Sequence, residues 1–382
     1  MTGADSARAP TEREGGRLIA LDAFRFFAAC CVVVYHYNQN FELGLQRWSA
    51  APEHFYVMVD FFFILSGFVI ALSYSERLGS LAGLRAYFVS RFARLYPLHV
   101  LTILFLLAFI AFGALVGFKS NDPDNWALKH LPAQLLLVQA WGFSDRLYFN
   151  GPSWSISAEW FAYLLAPALF FVSRRVGLVV GLAISVAGVV AFIAFRKYLG
   201  LTIPWTDATF DYGAFRALPE FFCGAVLARA YQTNALSFRP RWWMIHALLV
   251  AVMVSLHLGW PDEIAVALFV ALVIGAALAE KSGQRSALMS PTAARLGDAS
   301  YAVYMIHMPL IIPMAFFLRR AQLMGTPAAW GVVAVFFAAL IALSIATHRY
   351  FEGPMRRIIR DALSPGRPRA TPDQSSRAPN AG

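Results

Sequence analysis

Long apolar runs alternate with short polar segments along most of the chain. Ten of these runs are roughly 17–25 residues long, the length that lets an α-helix bridge the hydrocarbon core of a bilayer. They are residues 19–38, 56–75, 95–117, 157–173, 177–195, 212–231, 242–259, 262–280, 300–318 and 328–350. The pattern predicts an all-α, polytopic transmembrane bundle of about ten spans.

The composition supports this prediction. Hydrophobic residues make up 59% of the 382 residues and charged residues 14%, whereas soluble domains have roughly 25% charged residues. A chain this apolar has too little polar surface for water, so we expect lipid to be its solvent. Residues 1–16 lack the apolar core and the cleavage site of a signal peptide, so the first run is expected to remain as a span.

Basic residues predict the orientation. With the N-terminus in the cytoplasm, 22 of the 32 Lys and Arg residues fall in cytoplasmic segments or borders and nine in outer ones, as the positive-inside rule requires. Both termini are therefore expected to be cytoplasmic. The predicted divisions are a cytoplasmic segment, 1–17, a membrane domain, 18–357, and a disordered cytoplasmic tail, 358–382. The net charge of +10 reflects this topology, and no nucleic acid is expected as a partner.

Residues 118–156 form the longest predicted outer segment. Within it, the apolar patch Leu131–Trp141 is too short to span a bilayer and is expected to form a re-entrant or interfacial helix.

The three cysteines, Cys30, Cys31 and Cys223, all lie in apolar runs and have no metal-ligand spacing. We interpret them as small core residues, so neither a disulfide framework nor a metal site is expected.

Ionisable side chains inside the runs are the informative residues, because each is costly in lipid unless it is paired or solvated. Arg25 and His36 are eleven positions apart in the first run, about 16 Å along a helix and nearly on one face. In a structural interpretation, Arg25 reaches the cytoplasmic headgroups and His36 meets the outer interface. In a functional one, both belong to one site.

The second run places Asp60 at a depth similar to that of His36. A carboxylate beside an imidazole fixes its tautomer and raises its basicity, so we expect these two side chains to pair. Ser66 and Gly67 follow in mid-run, where small residues allow close helix packing.

Arg91 and Arg94 lie three residues apart at the cytoplasmic border of the third run. They either set only the topology or, at a depth near that of Arg25, form a clamp for phosphate groups.

The fourth run opens with Trp154 and Glu159 at the outer interface. Tryptophan is common there as an anchor, whereas a glutamate is expected only if it faces a polar cavity. In the sixth run, Arg216 and Glu220 are four apart, which predicts an intrahelical ion pair.

The last two runs contribute a further set of polar residues. Ser300, Tyr304 and His307 share one helix face, with His307 near mid-depth. Glu352 lies at the cytoplasmic border, where it either orients the nearby arginines or caps its own helix end.

These segments resemble a known family. The spacing from Arg25 to His36 and the segments VDFFFILSGF, SRFARLYP, WSISAEWF, SYAVYMIH and FEGP occur in the order typical of the membrane-bound acyltransferase-3 family. That family includes bacterial O-antigen and exopolysaccharide O-acetyltransferases and Nod-factor acetyltransferases. The matching motifs extend from about Leu18 to Arg357, nearly the whole core.

The resemblance implies a multi-pass enzyme of the bacterial inner (plasma) membrane. Such an enzyme moves an acyl group, most often acetyl from cytoplasmic acetyl-CoA, to a hydroxyl of a cell-envelope or exported glycan such as lipopolysaccharide O-antigen. The donor would be acyl-CoA, the acceptor a carbohydrate, and no metal is expected.

Our sequence-based hypothesis assigns roles by position. Arg91 and Arg94, with Arg25, are expected to bind the CoA phosphates. The pantetheine arm would extend along the first span, so that the thioester arrives near His36. His36 is then a general base or a nucleophile that carries the acyl group briefly. The catalytic set is His36, Asp60 and Glu159, with either carboxylate orienting the imidazole. Supporting contacts are expected from Ser66, Trp154, Tyr304, His307 and Glu352.

The main alternative is a transporter or flippase for a glycan or a small solute, because ten helices with buried charges suit that class too. The absence of paired broken helices and of inverted halves in the sequence weighs against it. A structural or sensory membrane protein would not need so many buried ionisable groups. The sequence does not identify the acceptor, the acyl chain or the oligomeric state. It also does not distinguish direct transfer from transfer through an acyl-enzyme intermediate.

Overall fold

A computed structural model describes residues 17–117 and 122–363. Within these residues the secondary structure is helical, and no β-strand is present. The α-helices are α1 Ile19–Phe41, α2 Ala51–His54, α3 Met58–Tyr74, α4 Leu81–Leu115, α5 Leu131–Leu135, α6 Trp154–Ser173, α7 Leu178–Tyr198, α8 Gly213–Gln232, α9 Trp242–His257, α10 Asp262–Lys281, α11 Pro291–Arg320, α12 Pro327–Thr347 and α13 Gly353–Leu363. Short 3₁₀ turns connect several of them, and a π-helical turn, His348–Glu352, joins α12 to α13.

The predicted all-α, polytopic bundle is confirmed. Eight helical segments are long and apolar enough to cross a membrane: Ile19–Phe41, Ala51–Tyr74, Leu81–Leu115, Gly151–Ser173, Leu178–Tyr198, Asp262–Lys281, Pro291–Arg320 and Pro327–Leu363. The two remaining predicted runs are also helical. Helix α9 is apolar but has 16 residues. Helix α8 has 20 residues and is mostly buried, because it packs against α3, α6 and α7.

Helices α3 and α8 cross very closely, and glycine makes this possible. A Cβ added to Gly67 would lie 1.9 Å from the backbone oxygen of Phe221, and one added to Gly224 would lie 2.0 Å from that of Ile64. Two backbones can approach this far only where no side chain intervenes. The expected packing role of the Ser66-Gly67 step is therefore met by Gly67.

Helices α1 and α11 run side by side in the same direction. Near their starts, a Cβ on Gly297 of α11 would lie 2.5 Å from Cβ of Asp22 of α1. Further along both helices, the rings of His36 and His307 are 5.1 Å apart between centroids. This pairing aligns the polar residues of the two helices along one seam.

Two predictions need correction, the start of the disordered tail and the helix in the apolar patch. Helix α13 continues through Leu363, so residues 358–363 are helical and not part of a disordered tail; the rest of the predicted tail, from 364, lies outside the described residues. Most of the N-terminal segment 1–17 also lies outside them. The apolar patch Leu131–Trp141 forms only the five-residue helix α5 followed by turns, because Leu137 takes a left-handed backbone conformation with φ 57°, which ends a helix.

Candidate active site

A cavity of about 130 Å³ lies between α1, α3, α4, α6 and α11. Its charged lining residues are Arg25, Arg91, Arg94 and Glu159. The three arginines come from two helices far apart in the chain, and the cavity brings them to one place, as the sequence predicted from their similar depth. Polar side chains from α3, α6 and α11 complete the lining.

Arg25 is fixed to helix α11. Its Nε donates to Ser300 Oγ at 2.8 Å, and Nη2 donates to the Gly297 carbonyl oxygen at 2.6 Å. Nη2 also lies 3.0 Å from Oδ1 of Asp22, one helical turn earlier. Arg25 is therefore anchored inside the bundle, and the alternative in which it reaches out to lipid headgroups is wrong.

Arg94 is held by the π-helical turn. Its guanidinium forms an ion pair with the carboxylate of Glu352, which is 1% exposed, and lies 5.0 Å above the ring of Tyr301. Glu352 also accepts contacts from His348 at 3.3 Å and Arg356 at 3.7 Å. Of the two roles predicted for Glu352, the structure supports the orientation of nearby arginines.

Arg91 has no carboxylate partner in the described part of the chain. Its guanidinium lies 5.3 Å from the ring centroid of Tyr74 and 5.8 Å from that of Tyr163, and Nη2 donates to Ser90 Oγ at 3.1 Å. Its Nε is buried without a hydrogen-bond acceptor among the described residues. A cation with a buried, unpaired N–H is costly in a cavity unless an anion binds there.

Glu159 lines this cavity and does not contact His36. It accepts hydrogen bonds from Ser66 Oγ at 2.5 Å and from the Tyr163 hydroxyl. The prediction that Glu159 faces a polar cavity is confirmed, whereas its side-chain hydrogen bonds among the described residues go to Ser66 and Tyr163 and not to His36. Tyr163 was missed, although its spacing of four residues from Glu159 places it on the same helix face.

Tyr304 lies where the cavity approaches the two histidines. Its hydroxyl is 2.7 Å from Ser155 Oγ and donates to the Pro152 carbonyl at 3.1 Å, and its ring centroid is 5.8 Å from that of His307. Trp154, expected as an interfacial anchor, is instead buried and has Arg216 above its ring at 5.3 Å.

His36 and His307 form a histidine pair between α1 and α11. Their ring planes are inclined by 31°. His307 is fully buried and its Nδ1 lies 2.5 Å from the Tyr304 carbonyl oxygen, while its Nε2 has no partner in the described structure. The structure places His307 beside His36, and this proximity results from the α1–α11 seam.

Asp60 has a different partner from the predicted one. Arg216 donates to both Asp60 oxygens, from Nε at 2.8 Å and from Nη2 at 2.6 Å, and both side chains are at most 1% exposed. The expected pairing of Asp60 with His36 is therefore wrong, and so is the predicted ion pair between Arg216 and Glu220 in α8. The physical reason is the close α3–α8 crossing, which brings Arg216 to Asp60 in a two-pronged geometry that a neighbour on its own helix cannot match.

The comparisons with known proteins agree with this architecture. A family model described as "Acyltransferase domain" matches residues 18–349. The chain belongs to the acyltransferase-3 family. It is 29% identical to "Acyltransferase MdmB" of Streptomyces mycarofaciens over 90% of this chain and 92% of that protein. No solved structure matches.

Two further relatives are similar over most of this chain. "Nodulation protein 10" of Rhizobium leguminosarum bv. viciae is 25% identical over 78% of this chain and 84% of its own length. "Putative peptidoglycan O-acetyltransferase YrhL" of Bacillus subtilis (strain 168) is 24% identical over 88% of this chain and 54% of its own length. The family and these relatives identify the chain as a multi-pass membrane O-acyltransferase.

Proposed function

We propose that this protein transfers an acyl group, acetyl in the first instance, from cytoplasmic acyl-CoA to a hydroxyl of a cell-envelope or exported carbohydrate. The observation that carries the proposal is the arginine cluster at one end of a cavity whose other end approaches a histidine pair. Transfer from acyl-CoA needs a cationic site for the phosphates of CoA and a base or nucleophile near the thioester; the arginines and the histidine pair could supply these two groups.

The donor would bind through the arginines. Arg91 offers a guanidinium whose Nε–H is buried and unused, and Arg94 is held beside it by Glu352. Guanidinium groups bind phosphate oxygens in charge-assisted, often two-pronged hydrogen bonds. Arg25, which is already bonded to Ser300 and Gly297, would act mainly by its charge.

The size of the cavity limits which part of the donor it can hold. Its volume of about 130 Å³ is smaller than the roughly 300–1,000 Å³ of sites that enclose a drug-sized ligand. The nucleotide would therefore lie outside, at the cytoplasmic mouth beside the arginines. The thin pantetheine arm and thioester would enter the cavity and follow α1 towards His36, about 16 Å from Arg25 along the helix axis.

Direct transfer would use His36 as a general base. A ring nitrogen takes the proton from the acceptor hydroxyl while the hydroxyl oxygen attacks the thioester carbonyl carbon. The tetrahedral intermediate then breaks its C–S bond, and the CoA thiolate leaves and takes the proton from the imidazolium. The products are the O-acyl ester and free CoA.

A covalent route uses the same residue as a nucleophile. The His36 nitrogen attacks the thioester carbonyl carbon, the C–S bond breaks, and the CoA thiolate leaves with the proton of the other ring nitrogen. The acceptor hydroxyl oxygen then attacks the acyl carbon, the C–N bond breaks, and the imidazole regains a proton from that hydroxyl. Intact-protein mass spectrometry after mixing with acetyl-CoA, without acceptor, separates the routes. An added acetyl mass that is lost in His36→Ala supports the covalent route, and an unchanged mass supports direct transfer.

The carbohydrate acceptor and the bacterial inner membrane are part of this proposal. The name of the Bacillus subtilis relative contains peptidoglycan O-acetylation, which supports a polysaccharide acceptor. Because the predicted topology puts the arginines on the cytoplasmic side and His36 towards the outside, the acyl group would cross the bilayer in the course of the reaction.

The decisive experiment uses the purified full-length protein in nanodiscs with labelled acetyl-CoA and a panel of methyl glycosides and cell-wall fragments. We expect label on an acceptor with the native protein and none with His36→Ala, which should still bind acetyl-CoA. His246→Ala, at an exposed position on α9, is the matched control and should transfer normally. Full transfer by His36→Ala contradicts the proposed mechanism. No label on any acceptor, together with solute flux in proteoliposomes, supports a transporter.

A further inference from the structure

The unusual feature of the histidine pair is the fully buried ring of His307. A carbonyl oxygen can only accept a hydrogen bond, so the 2.5 Å contact between His307 Nδ1 and the Tyr304 carbonyl places a proton on Nδ1. In a neutral ring, Nε2 then carries a lone pair and no proton. This lone pair has no donor in the described structure, and the residue is 0% exposed.

His36 needs a partner of this kind. An imidazole that acts as a base or a nucleophile presents a lone pair on one nitrogen, and the proton on its other nitrogen requires an acceptor, which is often a carboxylate or a backbone carbonyl. The two carboxylates expected for this role are engaged elsewhere. Asp60 is paired with Arg216, and Glu159 accepts the hydroxyls of Ser66 and Tyr163.

The distance between the rings fits a direct contact. Two imidazoles joined by an N–H···N hydrogen bond of about 2.9 Å have centroids roughly 5 Å apart, and the observed separation is 5.1 Å with an inclination of 31°. The rings are therefore close enough for an N–H of His36 to bond to Nε2 of His307, which has no other partner in the described structure.

We propose that His307 is a positioning residue for His36: its Nε2 accepts the N–H of the His36 ring and so fixes the tautomer that turns the other nitrogen towards the cavity. When His36 takes a proton from the acceptor hydroxyl, the proton shared between the rings shifts towards Nε2, and the proton on Nδ1 remains bonded to Tyr304. When the CoA thiolate leaves, both shifts reverse, so no proton is gained or lost. A neutral imidazole takes the place of the carboxylate, which avoids a second permanent charge inside the bilayer.

The inference rests on the proposed acyl transfer, and two amide variants test it separately. Asn places its amide group near the position of Nδ1, so His307→Asn keeps a donor for Tyr304 but leaves no acceptor for His36. Gln places its amide group near the position of Nε2, so His307→Gln keeps that acceptor but not the bond to Tyr304. A purely structural role predicts that Asn is tolerated better, and the positioning role predicts that Gln is.

The measurement is the kcat and the KM for acetyl-CoA of the full-length protein in nanodiscs, with the methyl glycoside that the native protein acetylates. We expect His307→Asn to lower kcat about 100-fold and His307→Gln about 10-fold, both with KM within about threefold of native. Effects of this size are typical when a group that orients an imidazole is lost. His99→Gln is the control, because His99 is equally buried, also bonds a backbone carbonyl and also has one unpartnered ring nitrogen, whereas the ring that contacts His36 is that of His307.

The outcomes are distinct. A native kcat in His307→Asn overturns the inference, and so does a lower kcat in Gln than in Asn. If one variant does not reach the membrane in folded form, the other is still compared with the native enzyme by its acetyl-CoA binding and its kcat. If the native protein itself transfers no label, the proposed function fails, which is a different result from native transfer that is insensitive to His307.

Discussion

Arg216 of α8 binds both carboxylate oxygens of Asp60 of α3, and this buried ion pair joins the two most closely packed helices of the bundle. Each side chain is almost fully removed from solvent. A charge in such a place is tolerated only because its partner is present. The pair therefore contributes to the stability of the bundle, and Asp60 is not available to orient His36.

Removal of one member of this pair should unfold the bundle more easily. We expect Arg216→Met to lower the free energy of unfolding by about 3–5 kcal/mol, because Asp60 would remain as a buried, uncompensated charge. The measurement is a denaturant titration in detergent, followed by tryptophan fluorescence. Arg146→Met is the control, because Arg146 pairs with Asp122 where both side chains are substantially exposed; its midpoint should not move. Equal midpoints for the native protein and Arg216→Met would contradict this assignment.

The glycine at the same crossing gives a second stability prediction. Gly224→Ala should destabilise the protein by about 2 kcal/mol or more, because its Cβ would meet backbone atoms of α3 that cannot move aside as a flexible side chain can,. Gly331→Ala in α12 is the matched control, since a Cβ there meets no atom within 4 Å. Alanine favours a helix over glycine by up to about 1 kcal/mol, so this control should be neutral or slightly stabilising. Comparable losses in both variants would refute the close crossing.

Arg91 should contribute to donor binding and Arg357 should not. We expect Arg91→Ala to raise the Kd for acetyl-CoA roughly 10- to 100-fold, the effect of one lost hydrogen-bonded charge contact. Arg357→Ala removes an exposed positive charge from α13 and should change the Kd less than twofold. The measurement is isothermal titration calorimetry in nanodiscs. An unchanged isotherm in Arg91→Ala removes its assigned role, and equal weakening in both variants indicates a general effect of charge.

Glu159 should affect the reaction more than stability. Glutamine keeps an oxygen that accepts the hydroxyls of Ser66 and Tyr163, so Glu159→Gln is expected to keep its unfolding midpoint. It removes the negative charge from a cavity lined by arginines, and we expect kcat/KM to fall more than tenfold. Steady-state kinetics and a denaturant titration on the same preparation measure the change in kcat/KM and the unfolding midpoint. Loss of stability at native kcat/KM would make Glu159 a structural residue.

The sequence predicted the helices well, because a span is a local property. All ten predicted runs are helical in the described structure. The run that contains α9 is shorter than a typical span, and the run that contains α8 differs for a reason visible in its residues. Arg216 and Glu220 interrupt its apolar surface, and such charges are costly in contact with lipid. Helix α8 is accordingly buried among other helices, where these side chains face protein. The sequence also predicted a similar depth in the bilayer for Arg25, Arg91 and Arg94, and all three line one cavity.

The partners of the buried charges were not predictable in the same way. Hydropathy gives the depth of a residue in the bilayer but not which helix lies beside it. Asp60 and His36 were assigned to one depth, yet Asp60 faces α8, a helix more than 150 positions later in the chain. The two glycines of the α3–α8 crossing carried the relevant signal, since small residues mark close helix contacts, but a single glycine does not identify its partner.

The π-helical turn at His348–Glu352 makes the cavity depend on a count of residues as well as on their identity. Each residue advances an α-helix by about 100°, so one residue more or less within this turn would swing the carboxylate of Glu352 away from Arg94 by more than a quarter of a revolution. Many substitutions on the lipid-facing side of α12 should be harmless. A single-residue deletion between 348 and 351 should not be, because it changes the phase of everything that follows.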